Sequence, residues 1–138
     1  MVKKLTGNNQ ALAGCQVDIT LAASVTTDGM DIAISFSDVY DGNPIQEVIA
    51  FDWYISEAAT GAGVTADTYS DDVTTVTGTE LQEITSKKYF TATTTATGTY
   101  TALAVDSANP TDQYVCVVHP ATGEVIVSVA SGTNWEGA

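Results

Sequence analysis

Residues 47–56, EVIAFDWYIS, decide the fold, because Ile49, Phe51, Trp53 and Ile55 fall on one side of a period-two alternation. A β-strand offers one face to a core in this way, and the face formed here carries the largest apolar side chains of the chain. The expected partner is residues 112–118, DQYVCVV, in which Tyr114, Cys116 and Val118 alternate in the same manner. A Trp facing that strand would centre a two-sheet core.

Working outward, the chain has 138 residues, enough for one domain with a real core and no staples. Acidic residues outnumber basic ones 17 to 4, for a formal net charge of −13. The cations are lysines in two pairs, Lys3-Lys4 and Lys87-Lys88. Such a field repels phosphate backbones and anionic lipid alike, so neither nucleic acid nor a membrane is expected as a partner. Abundant Thr, Ala, Val and Ser point to strands rather than helices.

The flanking segments read as strands divided by turn chemistry. Val17, Ile19 and Leu21 alternate in a first strand, and Thr27-Asp28-Gly29 turns into a second with Ile32, Ile34 and Phe36 inward. Asp41-Gly42-Asn43-Pro44 reverses the chain before the Trp53 strand. Residues 57–79 are polar and glycine-punctuated, as in a loop or weakly paired edge strands. Segments 88–95 and 99–105 are expected to pair around Thr97-Gly98, and Val125, Val127 and Val129 to complete the core after the Pro120 to Gly123 turn. The expected division is an N-terminal arm at 1–14, a sandwich at 15–130 and a C-terminal tail at 131–138.

Leu12-Ala13-Gly14-Cys15 spells a lipoprotein box, but the preceding Leu5 to Ala11 is polar where a signal needs an apolar run of roughly 7–15 residues. Cys15 lies a whole strand ahead of the region that would pair with Cys116, so two reduced, packed thiols made in a cytoplasm are expected rather than a disulfide.

Catalytic parts are sparse. His119 is the sole histidine and Cys116 lies three residues earlier, a spacing that puts the two on opposite faces of a strand. With no arginine and no second histidine, hydrolase, phosphoryl-transfer and zinc chemistries lack their usual components. Asp38, Asp41 and Asn43 suggest a calcium loop, yet Gly42 stands where an EF-hand has a ligand, and Asp71-Asp72 is weaker still. No enzyme, cofactor or metal is expected. The interface candidates are Trp135, which lies among polar residues in the tail, and Lys3 and Lys4, which offer an acidic body an attractive patch. The competing expectations are an indole packed on its own sandwich and a solvated terminus.

A Tyr two residues before a Cys, as at Tyr114 and Cys116, is the local pattern of the tyrosine corner in immunoglobulin-like sandwiches. Residues 35–65, SFSDVYDGNPIQEVIAFDWYISEAATGAGVT, resemble small immunoglobulin-like virion proteins of tailed bacteriophages, as do TATGTYTALAVDS at 95–107 and YVCVVHPATGEVIVSVAS at 114–131. The likeness spans about residues 15–130 and rests on turn and core patterns. It implies an all-β, immunoglobulin-like sandwich of about seven antiparallel strands in two sheets. It also implies a capsid decoration or cement protein on the outer surface of the virion, contacting the major capsid protein and often itself as a trimer, and it brings no catalytic residues. The alternative is an immunoglobulin-like adhesion module of a phage tail or bacterial surface, binding carbohydrate or a host receptor through Tyr40 and Tyr69.

Overall fold

A computed structural model describes residues 14–67 and 73–138, and the alternation at 47–56 becomes the central strand of one of its two sheets. The strands among these residues are β1 (Cys15–Ala23), β2 (Gly29–Asp38), β3 (Ala50–Ser56), β4 (Val73–Thr77), β5 (Thr79–Thr85), β6 (Tyr89–Thr93), β7 (Thr99–Val105), β8 (Tyr114–Val118) and β9 (Val125–Val127). One sheet has the order β1-β2-β7-β4 and the other β5-β6-β3-β8-β9. Every pairing is antiparallel. The fold is therefore all-β and two-layered, with nine described strands where about seven were expected.

The core lies where the alternation puts it. Phe51, Trp53 and Ile55 of β3 meet Met30, Ile32, Ile34 and Phe36 of β2 and Tyr100 of β7, all of them buried. Trp53 stacks on Phe90 with ring centroids 4.7 Å apart, and Phe51 meets Phe36 at 5.2 Å and Tyr100 edge-on at 5.3 Å. Buried polar atoms in this apolar layer need partners. The Trp53 indole N–H donates to the Tyr100 hydroxyl at 3.2 Å, and that oxygen is 2.6 Å from Thr75 Oγ1. A short polar chain thus ties the two sheets together through the middle of the core.

β8 and β9 take the opposite phase from that expected. The register sets Val117 against Trp53 and Cys116 against Tyr54, so Val115 and Val117 enter the core while Cys116 lies on the outer face. YVCVV is apolar on both sides, so its alternation carries no phase information. Both sides find cover: the Tyr54 hydroxyl donates to Gly61 O at 2.6 Å and Thr65 N–H to Ile55 O at 2.7 Å, which folds the 57–67 loop over the outer face. In β9, Ile126 packs against the core, and Val125 and Val127 lie on the outer side beside Gly61. Val129 is exposed.

Segments 88–95 and 99–105 do not form a hairpin either. β6 pairs with β3 and β5, β7 with β2 and β4, so the turn between them crosses from one sheet to the other. Gly98 makes the crossing possible: at φ 72° its carbonyl accepts the Phe36 N–H at 2.9 Å, and a Cβ there would lie 2.7 Å from Ile45 O.

The C-terminal segment is docked, not loose. Trp135 is 1% exposed and belongs to the core, with its indole N–H donating to Pro110 O at 2.8 Å. Glu136 N–H donates to Gly29 O at 2.8 Å, and its carboxylate accepts the Asp28 N–H at 3.1 Å. This segment closes the end of the sandwich at which the β1–β2 and β7–β8 loops meet.

Candidate interaction edge

His119 meets Cys15, not Cys116: its Nε2 lies 3.3 Å from Cys15 Sγ and 3.0 Å from Cys15 O. Its Nδ1 accepts the N–H groups of Ala121 at 3.2 Å and Thr122 at 3.3 Å. Two donors on Nδ1 place the ring hydrogen on Nε2, which donates toward Cys15 and has no lone pair left to take a thiol proton. Burial pushes the Cys15 thiol up to about 11, and the Cys116 thiol likewise to about 11. Such thiols are protonated at neutral pH and unreactive. The pair is a structural clip joining the start of β1 to the loop after β8. Both cysteines are free, one in the core and the other under Tyr54 and the 57–67 loop.

The acidic turn at Asp38 to Asn43 is explained by its own backbone. Asp38 Oδ1 accepts the Tyr40 N–H at 2.7 Å, and Asp41 Oδ1 accepts the Asn43 N–H at 2.9 Å. These are Asx turns. Asp71 and Asp72, Tyr69, and the interface candidates Lys3 and Lys4 lie outside the described residues. Among the described residues no group of three or more His, Cys, Asp or Glu side chains could hold a metal ion. The third interface candidate, Trp135, is 1% exposed and lies in the core cluster, which accords with the competing expectation of an indole packed on its own sandwich and not with an exposed docking group.

Residues 57–79 were expected as a loop or weakly paired edge strands, and β4 is such an edge strand; what the sequence did not reveal is the lateral edge that β4, Gly78 and β5 form together. In the β4–β7 register Val76 is skipped between Thr75 and Thr77, and in the β5–β6 register Leu81 and Ile84 are skipped in turn. Each is the extra residue of a β-bulge, and bulges re-aim side chains and break pairing. All three are apolar and point to solvent, at 66%, 57% and 51% exposure. β5 is exposed along its whole length and pairs only with β6 among the described strands. Glu80 and Glu83 stand beside these residues, and desolvation followed by repulsion from Glu83 raises the carboxyl pKa of Glu80. Gly78 pivots the chain between the sheets at φ 91°, where a Cβ would lie 2.5 Å from Thr93 O.

A bare edge strand invites open-ended pairing, and charges and bulges suppress it. Here the same devices display apolar groups at three separate points. The edge is therefore suited to a shaped apolar contact with another protein, and poorly suited to adding a strand. No signal of period two could have found it, since Leu81 and Ile84 are three apart in a stretch that is otherwise polar.

The chain matches no protein-family model, and no curated protein is significantly similar to it.

Proposed function

We propose that this is a non-enzymatic structural protein of a tailed-phage virion, with an immunoglobulin-like sandwich that decorates the outer surface of the capsid and touches the major capsid protein through the β4–β5 edge. The carrying observation is that edge, where three bulges expose Val76, Leu81 and Ile84 on an otherwise acidic body. The likeness of residues 35–65, 95–107 and 114–131 to small virion proteins supports the location. Strand order supports the immunoglobulin-like reading: β1-β2-β7-β4 follows the arrangement of one immunoglobulin sheet, and β6-β3-β8-β9 that of the other with Trp53 at its centre. The chain departs from that pattern in reaching β4 before β5 and β6, and in lacking an inter-sheet disulfide.

A rigid body that adds buried area across subunit junctions stabilises a shell by mass action, since it binds the assembled state and not the dissociated one. Contact through a few apolar anchors ringed by charge gives that contact its specificity. The test is co-sedimentation of the purified protein with particles of the source phage that lack it. Saturable binding by the wild type and at least tenfold weaker binding by the folded double variant Leu81→Asp/Ile84→Asp is expected. Equal binding by the variant removes the edge from the account, and no binding by the wild type removes the capsid. The adhesion alternative keeps one supporting observation, the 80% exposure of Tyr40.

A further inference from the structure

The outer strands of the two described sheets are β1, β4, β5 and β9, and three of them are blunted. β4 carries one bulge, β5 carries two together with Glu80 and Glu83, and β9 is only three residues long. β1 has none of these devices. It runs nine residues in unbroken register with β2, without proline or lysine and with Asp18 as its one charge. A long, regular edge of this kind is a template for another strand.

Two bonds at the ends of β1 fix which of its backbone groups face outward. Ser24 N–H donates to Gly29 O and Val39 N–H to Gly14 O, each at 3.1 Å, so the even-numbered residues of β1 are those that bond β2. Phe36, opposite Val17, agrees: its N–H donates to Gly98 O and its carbonyl accepts from Ile45, both away from β1. The N–H and C=O groups of Val17, Ile19, Leu21 and Ala23 therefore point outward, where no described strand pairs with them. At Cys15 that side is taken by His119, whose Nε2 donates to Cys15 O at 3.0 Å. The open edge starts just past the clip.

Register selects the occupant. Two copies of β1 set antiparallel about a two-fold axis at Ile19 bring Val17 opposite Leu21 and Ile19 opposite itself, so outward donors and acceptors match pair by pair. Val17 and Leu21 are buried and Ile19 is half-buried at the margin of the core, so the pairing covers the one apolar side chain of this row left partly open. On the outer face Asp18 falls opposite Thr20 and Gln16 opposite Ala22, and no two charges meet. Centring the pair one residue earlier would set Asp18 against itself, which is destabilising. We propose that β1 pairs with the β1 of a second copy in the Ile19-centred register, giving one eight-stranded sheet of order β4-β7-β2-β1-β1-β2-β7-β4. The two-fold axis consumes both open edges, so the assembly closes as a dimer. A β4–β5 edge remains free at each far side, which would make the proposed capsid contact bivalent. The pairing itself does not depend on that contact.

Sedimentation velocity of the full chain over a concentration series gives the stoichiometry. Physiological salt screens charges beyond about 8 Å, which removes most repulsion between bodies of net charge −13, while neighbours across a strand pair, with Cα atoms about 4.5 Å apart, still interact. A monomer–dimer equilibrium is expected. Thr20 is exposed on the outer face, so a change there leaves the fold intact, and the two-fold axis counts it twice. Thr20→Asp is expected to weaken dimerisation and Thr20→Lys to strengthen it, each by about fivefold. Thr60→Asp and Thr60→Lys, exposed in the loop over the other sheet, alter the net charge equally and are expected to shift the equilibrium less than about twofold. A monomer at every concentration overturns the pairing and leaves the edge to a strand of another protein. A trimer overturns it as well, as does a dimer in which the Thr20 and Thr60 variants behave alike. No particles enter the measurement, so these outcomes are separate from those of capsid binding.

Discussion

Replacing Trp135 with Ala measures whether the C-terminal segment is part of the folded core. An aromatic side chain of this class removes about 150–250 Å² from water, which at about 25 cal/mol per Å² amounts to about 4–6 kcal/mol. Measured Trp→Ala changes in cores run about 3–5 kcal/mol. The hydrogen bond adds little, because Pro110 O keeps a second donor, the Ser131 hydroxyl at 2.6 Å, and is not orphaned when the indole leaves. The expected loss is therefore about 3–5 kcal/mol, a large share of the stability of a domain this size and a fall in Tm on the order of 10–15 °C. Trp135→Phe retains most of the ring and should lose only about 1–2 kcal/mol. Urea unfolding followed by far-UV circular dichroism gives both values, with an unchanged m-value confirming that folding stays cooperative. A loss below about 0.5 kcal/mol in the Ala variant would refute the core assignment and return the indole to the role of an exposed docking group.

Three further outcomes follow from the geometry. The thiols of Cys15 and Cys116 should ignore Ellman's reagent at pH 8 in the native protein and both react once it is unfolded; fast reaction of either in the native state contradicts their burial. Because burial raises both folded pKa values from the ordinary 9 to about 11, their contribution to stability is complete below pH 9 and is lost as pH rises through 11. Urea midpoints should fall across that window in the wild type, and fall less in Cys15→Ala/Cys116→Ala. Gly78→Ala should cost about 2–4 kcal/mol, since its Cβ meets the immovable Thr93 carbonyl at φ 91°, while Gly42→Ala, at φ 72° with nothing within 4 Å, should cost only about 1 kcal/mol. Equal midpoints for the two variants would show that Gly78 is not the pivot between the sheets.

The sequence was most legible where one face of a strand is apolar and the other polar. Val17 and Leu21, Ile32 to Phe36, and Ile49 to Ile55 all point inward as their alternation requires. It failed where both faces are apolar, as in Tyr114 to Val118, because the covering loop at 57–67 is joined by tertiary contacts that no local pattern announces. The crossing at Gly98 resembles a hairpin turn in composition, and only its contact with Ile45 and Phe36 from the other side distinguishes it. The choice between docking and self-packing at Trp135 stayed open for the same reason, since its indole is held by Pro110 and the next residue, Glu136, by Gly29, both distant in the chain. The Cys15–His119 clip joins residues 104 apart in sequence and left no spacing to detect. The β4–β5 edge was hidden by the bulges that make it notable: each inserts one residue and erases the period-two signal.

The proposal that this protein decorates a capsid is tested most directly by the copy number of the chain per purified particle of a phage that encodes it, by quantitative mass spectrometry against the major capsid protein. The account predicts hundreds of copies in a fixed ratio to the shell. A handful of copies would move the protein to the tail and favour receptor binding, and none at all would contradict the virion assignment.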